Sequence, residues 1–116
     1  CHQATGLGST PLNFPPLAGS DWVVREKPDR LIRIMLNAVE GPIKVKDVVY
    51  DNPAMLAFRD VYSDDDIAAI ATFIRGNADW GNSAGFVTPQ QVKAIRDGTA
   101  AMGSQKWRVE TLEPIP

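Results

Sequence analysis

With one cysteine and one histidine in 116 residues, the chain has few of the groups that usually carry protein chemistry. A lone cysteine excludes an intrachain disulfide, so cysteine usage does not fix the redox compartment. No apolar run approaches the roughly 20 residues a membrane-spanning helix needs. No charged-then-apolar leader opens the sequence, which reads as a mature or truncated chain. Twelve Lys and Arg against fourteen Asp and Glu give a net charge of −2 and no basic patch, so nucleic acid is not an expected partner. No repeat or low-complexity stretch appears, and neither a hydrolase triad spacing nor a phosphate-cradling Gly-rich loop is present. What remains, at 44% hydrophobic residues, is the size of one modest domain with a buried core.

Residues 1–21 are rich in Gly, Pro, Ser and Thr and predict an ordered loop, whose Leu12, Phe14 and Leu17 point to an apolar lining rather than a solvated segment. Leu31, Ile32, Met35, Leu36 and Val39 recur at helical spacing after Pro28, predicting an amphipathic helix over 28–39 that ends near Gly41-Pro42. Residues 43–50 alternate around Lys46-Asp47, which predicts a short hairpin broken by Asn52-Pro53. Ser63 and Asp66 form a capping-box pattern ahead of the stripe Ile67, Ile70, Ala71 and Ile74, with Gly76-Asn77 as the stop. The run Asp64 to Asp66 therefore reads as a helix start, favoured by the dipole, and not as a metal site. The alanines at 68, 69 and 71 make a thin face suited to close helix crossing. Thr88-Pro89-Gln90-Gln91 caps a further short helix, through Val92, Ile95 and Arg96. Residues 100–116 follow as an extended strap carrying Trp107, Val109, Leu112 and Ile115, with equal expectation that it lies back on its own domain or docks on a partner.

The chemistry begins with Cys1-His2, the last two residues of the Cys-x-x-Cys-His signature for c-type haem attachment. An electron-transfer haem with the usual two axial ligands needs a second one from a distant segment, and methionine opposite histidine raises the reduction potential. Of three methionines, Met35 lies on a helical stripe and Met102 in the strap. Met55 sits in a loop, between Asn52-Pro53-Ala54 and Leu56-Ala57-Phe58.

Residues 1–8 (Cys-His-Gln-Ala-Thr-Gly-Leu-Gly), Phe14-Pro15-Pro16-Leu17-Ala18-Gly19-Ser20-Asp21-Trp22, Asp64-Asp65-Asp66-Ile67-Ala68-Ala69-Ile70, Trp80-Gly81-Asn82-Ser83-Ala84-Gly85 and Val87-Thr88-Pro89 occur in that order. In this ordered text, reaching to about residue 96, the chain resembles the class I cytochrome c family, especially the domains that serve periplasmic dehydrogenases and reductases. The resemblance implies a mostly α fold with short helices around one covalent haem c, a small β-hairpin insertion and an extended C-terminal tail. It divides the chain into a haem domain at 1–99 and a tail at 100–116. It implies a thioether at Cys1, axial ligation of iron by His2 and Met55, and the Pro16 carbonyl as acceptor for the other ring nitrogen of His2. Phe14, Leu17, Leu31, Met35 and Phe58 would form the low-dielectric pocket. Trp22, Arg25, Tyr50 and Asn52 fall where such proteins make propionate or methionine-loop contacts.

Two departures stand out. The leading cysteine of the motif and the family's N-terminal helix are absent, read here as a missing beginning in preference to a single-thioether haem. That helix would cross the alanine-rich face. Leu56 stands where the family usually has proline. The implied role is outer-sphere electron transfer to or from a periplasmic redox enzyme in a bacterium. The alternatives are a tethered domain of a larger catalytic polypeptide, such as a copper nitrite reductase or a quinoprotein dehydrogenase, and a non-redox binding module.

Overall fold

The computed structural model describes residues 1–116. Three helices form the frame: α2 (Asp29–Asn37), α3 (Asp64–Arg75) and α4 (Pro89–Gly98), preceded by a single-turn α1 (Asp21–Val24). Two small sheets complete it. β2 (Ile43–Val45) and β3 (Val48–Tyr50) pair antiparallel, whereas β1 (Val39–Glu40) pairs in parallel with β4 (Trp107–Arg108) from the C-terminal segment, just ahead of α5 (Val109–Leu112). This is the mostly helical architecture expected from the sequence.

Local chemistry accounts for the element boundaries. The amide of Asp66 donates to Ser63 Oγ at 3.1 Å and the Ser63 amide to Asp66 Oδ2 at 3.4 Å, so aspartate closes the capping box. Thr88 and Gln91 do the same for α4. The Lys46-Asp47 turn has φ of 51° and 67°, the two left-handed residues whose twist matches a tight hairpin. α2 starts one residue later and stops two residues sooner than its apolar spacing predicts, because Pro28 serves as the cap and Ala38 turns to φ 63°, feeding Val39 into β1.

The main core gathers Val23, α2 residues such as Ile32 and Leu36, α3 residues such as Ile67 and Ala71, and Val92 and Ile95 of α4. Within α3, Ala68 and Ala71 are buried while Ile70 and Phe73 are 38% and 61% exposed. The uncovered face of α3 is thus the Ala69, Ile70 and Phe73 stripe, and the Ala68/Ala71 face already serves the core.

Buried arginines stitch the loops to this frame. Arg75 is 1% exposed and has no carboxylate partner. It donates to the carbonyls of Val23 (2.9 Å), Arg25 (2.7 Å), Glu26 (3.2 Å) and Gly85 (2.9 Å). Burial lowers its pKa from the ordinary arginine value, and those acceptors replace the water it has lost. The segment after residue 99 lies back on the domain. Leu112 is fully buried, the Trp107 amide donates to the Ala38 carbonyl, and Arg30 donates to the carbonyls of Glu113 and Ile115. It is less extended than its composition predicts, since it forms a 3-10 turn, β4 and α5.

Candidate functional site

An apolar cavity of about 380 Å³ opens between the N-terminal loop, α2, the hairpin, the loop around residue 55 and α3. Eighteen of its 25 lining residues are hydrophobic, so its natural guest is a largely apolar body. Cys1, His2, Phe14, Pro16 and Leu17 contribute from the loop, and Trp22, Leu31 and Met35 from α1 and α2. Tyr50, Asn52, Met55 and Phe58 close it from the middle of the chain. Twelve of the thirteen residues singled out from sequence therefore share one cavity.

The exception is Arg25, which does not line the cavity. It follows α1 by one residue and stands four after Asp21, so its guanidinium lies 3.5 Å from that carboxylate, the ordinary i,i+4 pairing on a helix.

The N-terminal loop is built to hold His2. Gly8 has φ +64°, and a Cβ there would lie 2.1 Å from the Phe14 carbonyl oxygen. Only glycine allows that approach, which is closed by reciprocal backbone hydrogen bonds between Ser9 and Phe14 at 2.8 and 2.9 Å. The amides of Leu17 and Ala18 both donate to the Gly6 carbonyl, at 2.7 and 2.9 Å. Folded this way, the loop sets the Pro15 carbonyl 2.7 Å from His2 Nδ1. The acceptor is Pro15 and not Pro16, because the loop turns at Asn13 (φ 58°) and presents the earlier carbonyl. Donation from Nδ1–H leaves Nε2 holding the ring's lone pair, the state of an imidazole ready to bind a metal.

On the opposite stretch of chain, Trp22 donates from Nε1 to the Lys44 carbonyl at 3.0 Å, and the Arg30 guanidinium lies 5.0 Å from the Trp22 ring. Asn52 donates to the Leu12 carbonyl at 3.1 Å and accepts from the Ala54 amide at 2.9 Å, tying the segment before Met55 to the N-terminal loop. Leu56, at the position where proline was expected, also faces the cavity and is 70% exposed.

The cavity has further walls that were not singled out from the sequence as site residues: Val23, Ile34, Ile43, Val45, Ile70 and Ile74. Ile70 and Ile74 stood on the apolar stripe of α3, but the same spacing describes a helix packed on protein and one packed on a ligand.

The donor set decides what such a cavity can hold. No three His, Cys, Asp or Glu side chains converge anywhere in the fold to grip a bare ion. What the cavity offers is one imidazole, the thioethers of Met35 on α2 and Met55 in its loop, and apolar walls, with the exposed Cys1 thiol among the residues at its edge. That set fits a flat apolar macrocycle that brings its own equatorial donors and asks the protein for axial ligands and a covalent tether. Fold and site together define a small helical haem-binding domain.

The chain matches the cytochrome c family model over residues 1–78, and it belongs to the cytochrome c family. Among curated proteins it is similar to the cytochrome c subunits of quinone alcohol dehydrogenase. Identity is 34% over 108 residues for those of Gluconacetobacter polyoxogenes and Komagataeibacter europaeus, covering 92% of this chain. For Gluconobacter oxydans (strain 621H) it is 30% over 112 residues, covering 96%. In each case the match spans 22% of the relative's length, so this chain corresponds to about a fifth of those subunits. Domains of this family bind haem c covalently and carry electrons; the relatives are the cytochrome, not the catalytic, subunits. No helix of the fold is long and apolar enough to cross a membrane.

Proposed function

We propose that this domain holds one haem c through a thioether at Cys1, with His2 and Met55 as axial ligands, and passes single electrons to or from a quinone-dependent dehydrogenase on the periplasmic side of a bacterial membrane. The observation that carries this reading is that the only imidazole and the only loop methionine of the chain line the same apolar cavity. When bound, the haem supplies an iron that cycles between ferrous and ferric with its ligands in place. The protein does the rest. The Pro15 carbonyl keeps the His2 proton on Nδ1 and strengthens the donor character of Nε2. The apolar walls exclude water, so charge on the iron is felt in a low dielectric. Residues 1–99 supply the haem domain, and 100–116 a strap folded against it.

The limited coverage of the relatives favours a domain within a longer cytochrome polypeptide serving such a dehydrogenase, over the tethered copper nitrite reductase arrangement. A pyridine haemochrome spectrum of the purified protein tests the cofactor: one haem per chain with a thioether signature is expected, and absence of covalent haem would refute the reading. Met55→Ala tests the ligand set. The ferric protein should lose its methionine-to-iron charge-transfer band while keeping His2 ligation, and an unchanged spectrum would remove Met55 from the iron. Mixing with a substrate-reduced quinone alcohol dehydrogenase should reduce the domain in a stopped-flow trace, and no reduction would exclude that partner.

A further inference from the structure

Met55 lies in a loop with no secondary structure of its own, yet both ends of that loop are fastened to distant parts of the chain. On the near side, Asn52 is tied to Leu12, and the Lys106 ammonium donates to the Pro53 carbonyl, two residues before Met55. On the far side, the amides of Phe58 and Arg59 donate to the carbonyls of Met35 and Leu36 at 3.0 Å each, using acceptors that the end of α2 leaves free. The Arg59 side chain then spreads into a hub. It donates to Asn37 Oδ1 from Nε (2.9 Å) and Nη2 (2.8 Å), to the Arg96 carbonyl (3.0 Å) and to Thr99 Oγ1 (2.6 Å). Asn37, 1% exposed, faces the other way with its amide nitrogen, donating to the carbonyls of Gly103 (3.0 Å) and Gln105 (2.8 Å). The hub thus joins the Met55 loop, the end of α2, the end of α4 and the C-terminal strap.

We propose that Arg59, through Asn37 and with Lys106 as a second latch, is the positioning residue that holds Met55 against the haem iron, and that the C-terminal strap serves this role. The proposal rests on Met55 being the ligand. Only four residues separate Pro53 from Phe58, and with both ends fixed so short a segment has few conformations, so the thioether is offered to the iron at little entropic cost. Releasing either end widens the loop's ensemble and leaves the ligation-competent form as a fraction of it.

The strength of this hold is read by competition. Imidazole added to the ferric holoprotein displaces a methionine ligand, and its apparent affinity measures how weakly the protein keeps that methionine. Arg59→Gln should bind imidazole at least tenfold more tightly than the parent protein, and Lys106→Met at least threefold. Val92→Ala, a core truncation in α4 away from the cavity, should stay within twofold although it destabilises the fold. Arg59→Lys, which keeps the charge and loses the fork, should fall between parent and Arg59→Gln. In a Met55→Ala background, Arg59→Gln should have no further effect on imidazole affinity. An unchanged affinity in both Arg59→Gln and Lys106→Met, or an equal rise in Val92→Ala, would overturn the proposal. If Arg59→Gln does not fold, Lys106→Met decides it alone, since that side chain is partly exposed and outside the core. The Met55→Ala spectrum separates the two failures. If that variant keeps the parent's spectrum, the ligand assignment is at fault; if it loses the methionine band while imidazole affinity ignores Arg59 and Lys106, only the positioning role falls.

Discussion

Asn82→Ala should be one of the most damaging single substitutions outside the apolar core. Asn82 is 3% exposed and uses its carboxamide fully: Oδ1 accepts from the Gly19 amide at 2.8 Å, and Nδ2 donates to the carbonyls of Ile74 (2.7 Å) and Leu17 (3.3 Å). It joins the end of α3 to the loop that carries Pro15 and Pro16. Truncation leaves the buried Ile74 carbonyl short of a partner, at about 1–2 kcal/mol, and removes two further bonds worth about 0.5–1 kcal/mol each, since the exposed Gly19 can turn to water. The total is about 3 kcal/mol. At about 4 °C per kcal/mol for a chain of this length, the thermal midpoint should fall by about 12 °C in a scan followed by far-ultraviolet circular dichroism. Asn82→Asp should not rescue it, because a carboxylate keeps the Gly19 bond but sets negative charge against two carbonyl oxygens. A drop under about 1 kcal/mol for Asn82→Ala, or a milder effect for Asn82→Asp than for Asn82→Ala, would refute this account of the residue.

Other expectations follow from equally specific contacts. Gly8→Ala should cost well over the ~1–2 kcal/mol of a left-handed alanine, because its Cβ meets the Phe14 carbonyl. Gly81→Ala, with φ +75° and open space where a Cβ would stand, should cost only that conformational penalty; equal urea midpoints for the two variants would contradict the close-approach argument. Leu112→Ala, fully buried, should lose about 2–4 kcal/mol in urea unfolding, and a loss below about 1 kcal/mol would show that the strap does not pack as described. The Asp97 carboxylate, 2.8 Å from Lys93 Nζ, raises that ammonium's pKa above its ordinary value. The folded-state pKa is then the higher one, so the pair's contribution is present at neutral pH and is lost as the pH rises through it. Both groups are exposed, so Asp97→Asn should barely change the midpoint at pH 7, and it should remove the corresponding alkaline loss; a large neutral-pH effect would contradict the assignment.

How much of this was legible in the sequence follows from what residue types report. Side-chain periodicity located α3 and α4 with their caps, because Ser63, Asp66, Thr88 and Gln91 act within one turn of their own positions. The family resemblance, and not periodicity, pointed to the cavity-lining residues singled out from the sequence, Phe14, Leu31, Met35 and Phe58 among them. The pairing of Arg25 with Asp21 outside the cavity was not legible, because the one-turn helix that brings Asp21 within reach has no periodic signature of its own. α3's open face was misjudged for a related reason: small residues permit close packing from either side, and only the partners reveal which side is used.

The contacts hardest to foresee are those in which the backbone is the partner. His2 meets the carbonyl of Pro15, Arg75 meets four carbonyls, and Asn37 and Asn82 each take two. Every residue carries the same carbonyl, so nothing in the residue types marks which one is presented. That is fixed by left-handed turns such as Gly8 and Asn13, and by helix ends such as Asn37. A polar side chain buried in a small haem domain is therefore better read as a clamp between loops than as a ligand to the cofactor. By that reasoning Asn82 holds the loop that carries His2, and Asn37, through Arg59, holds the loop that carries Met55, while neither asparagine hydrogen-bonds to His2 or Met55 itself.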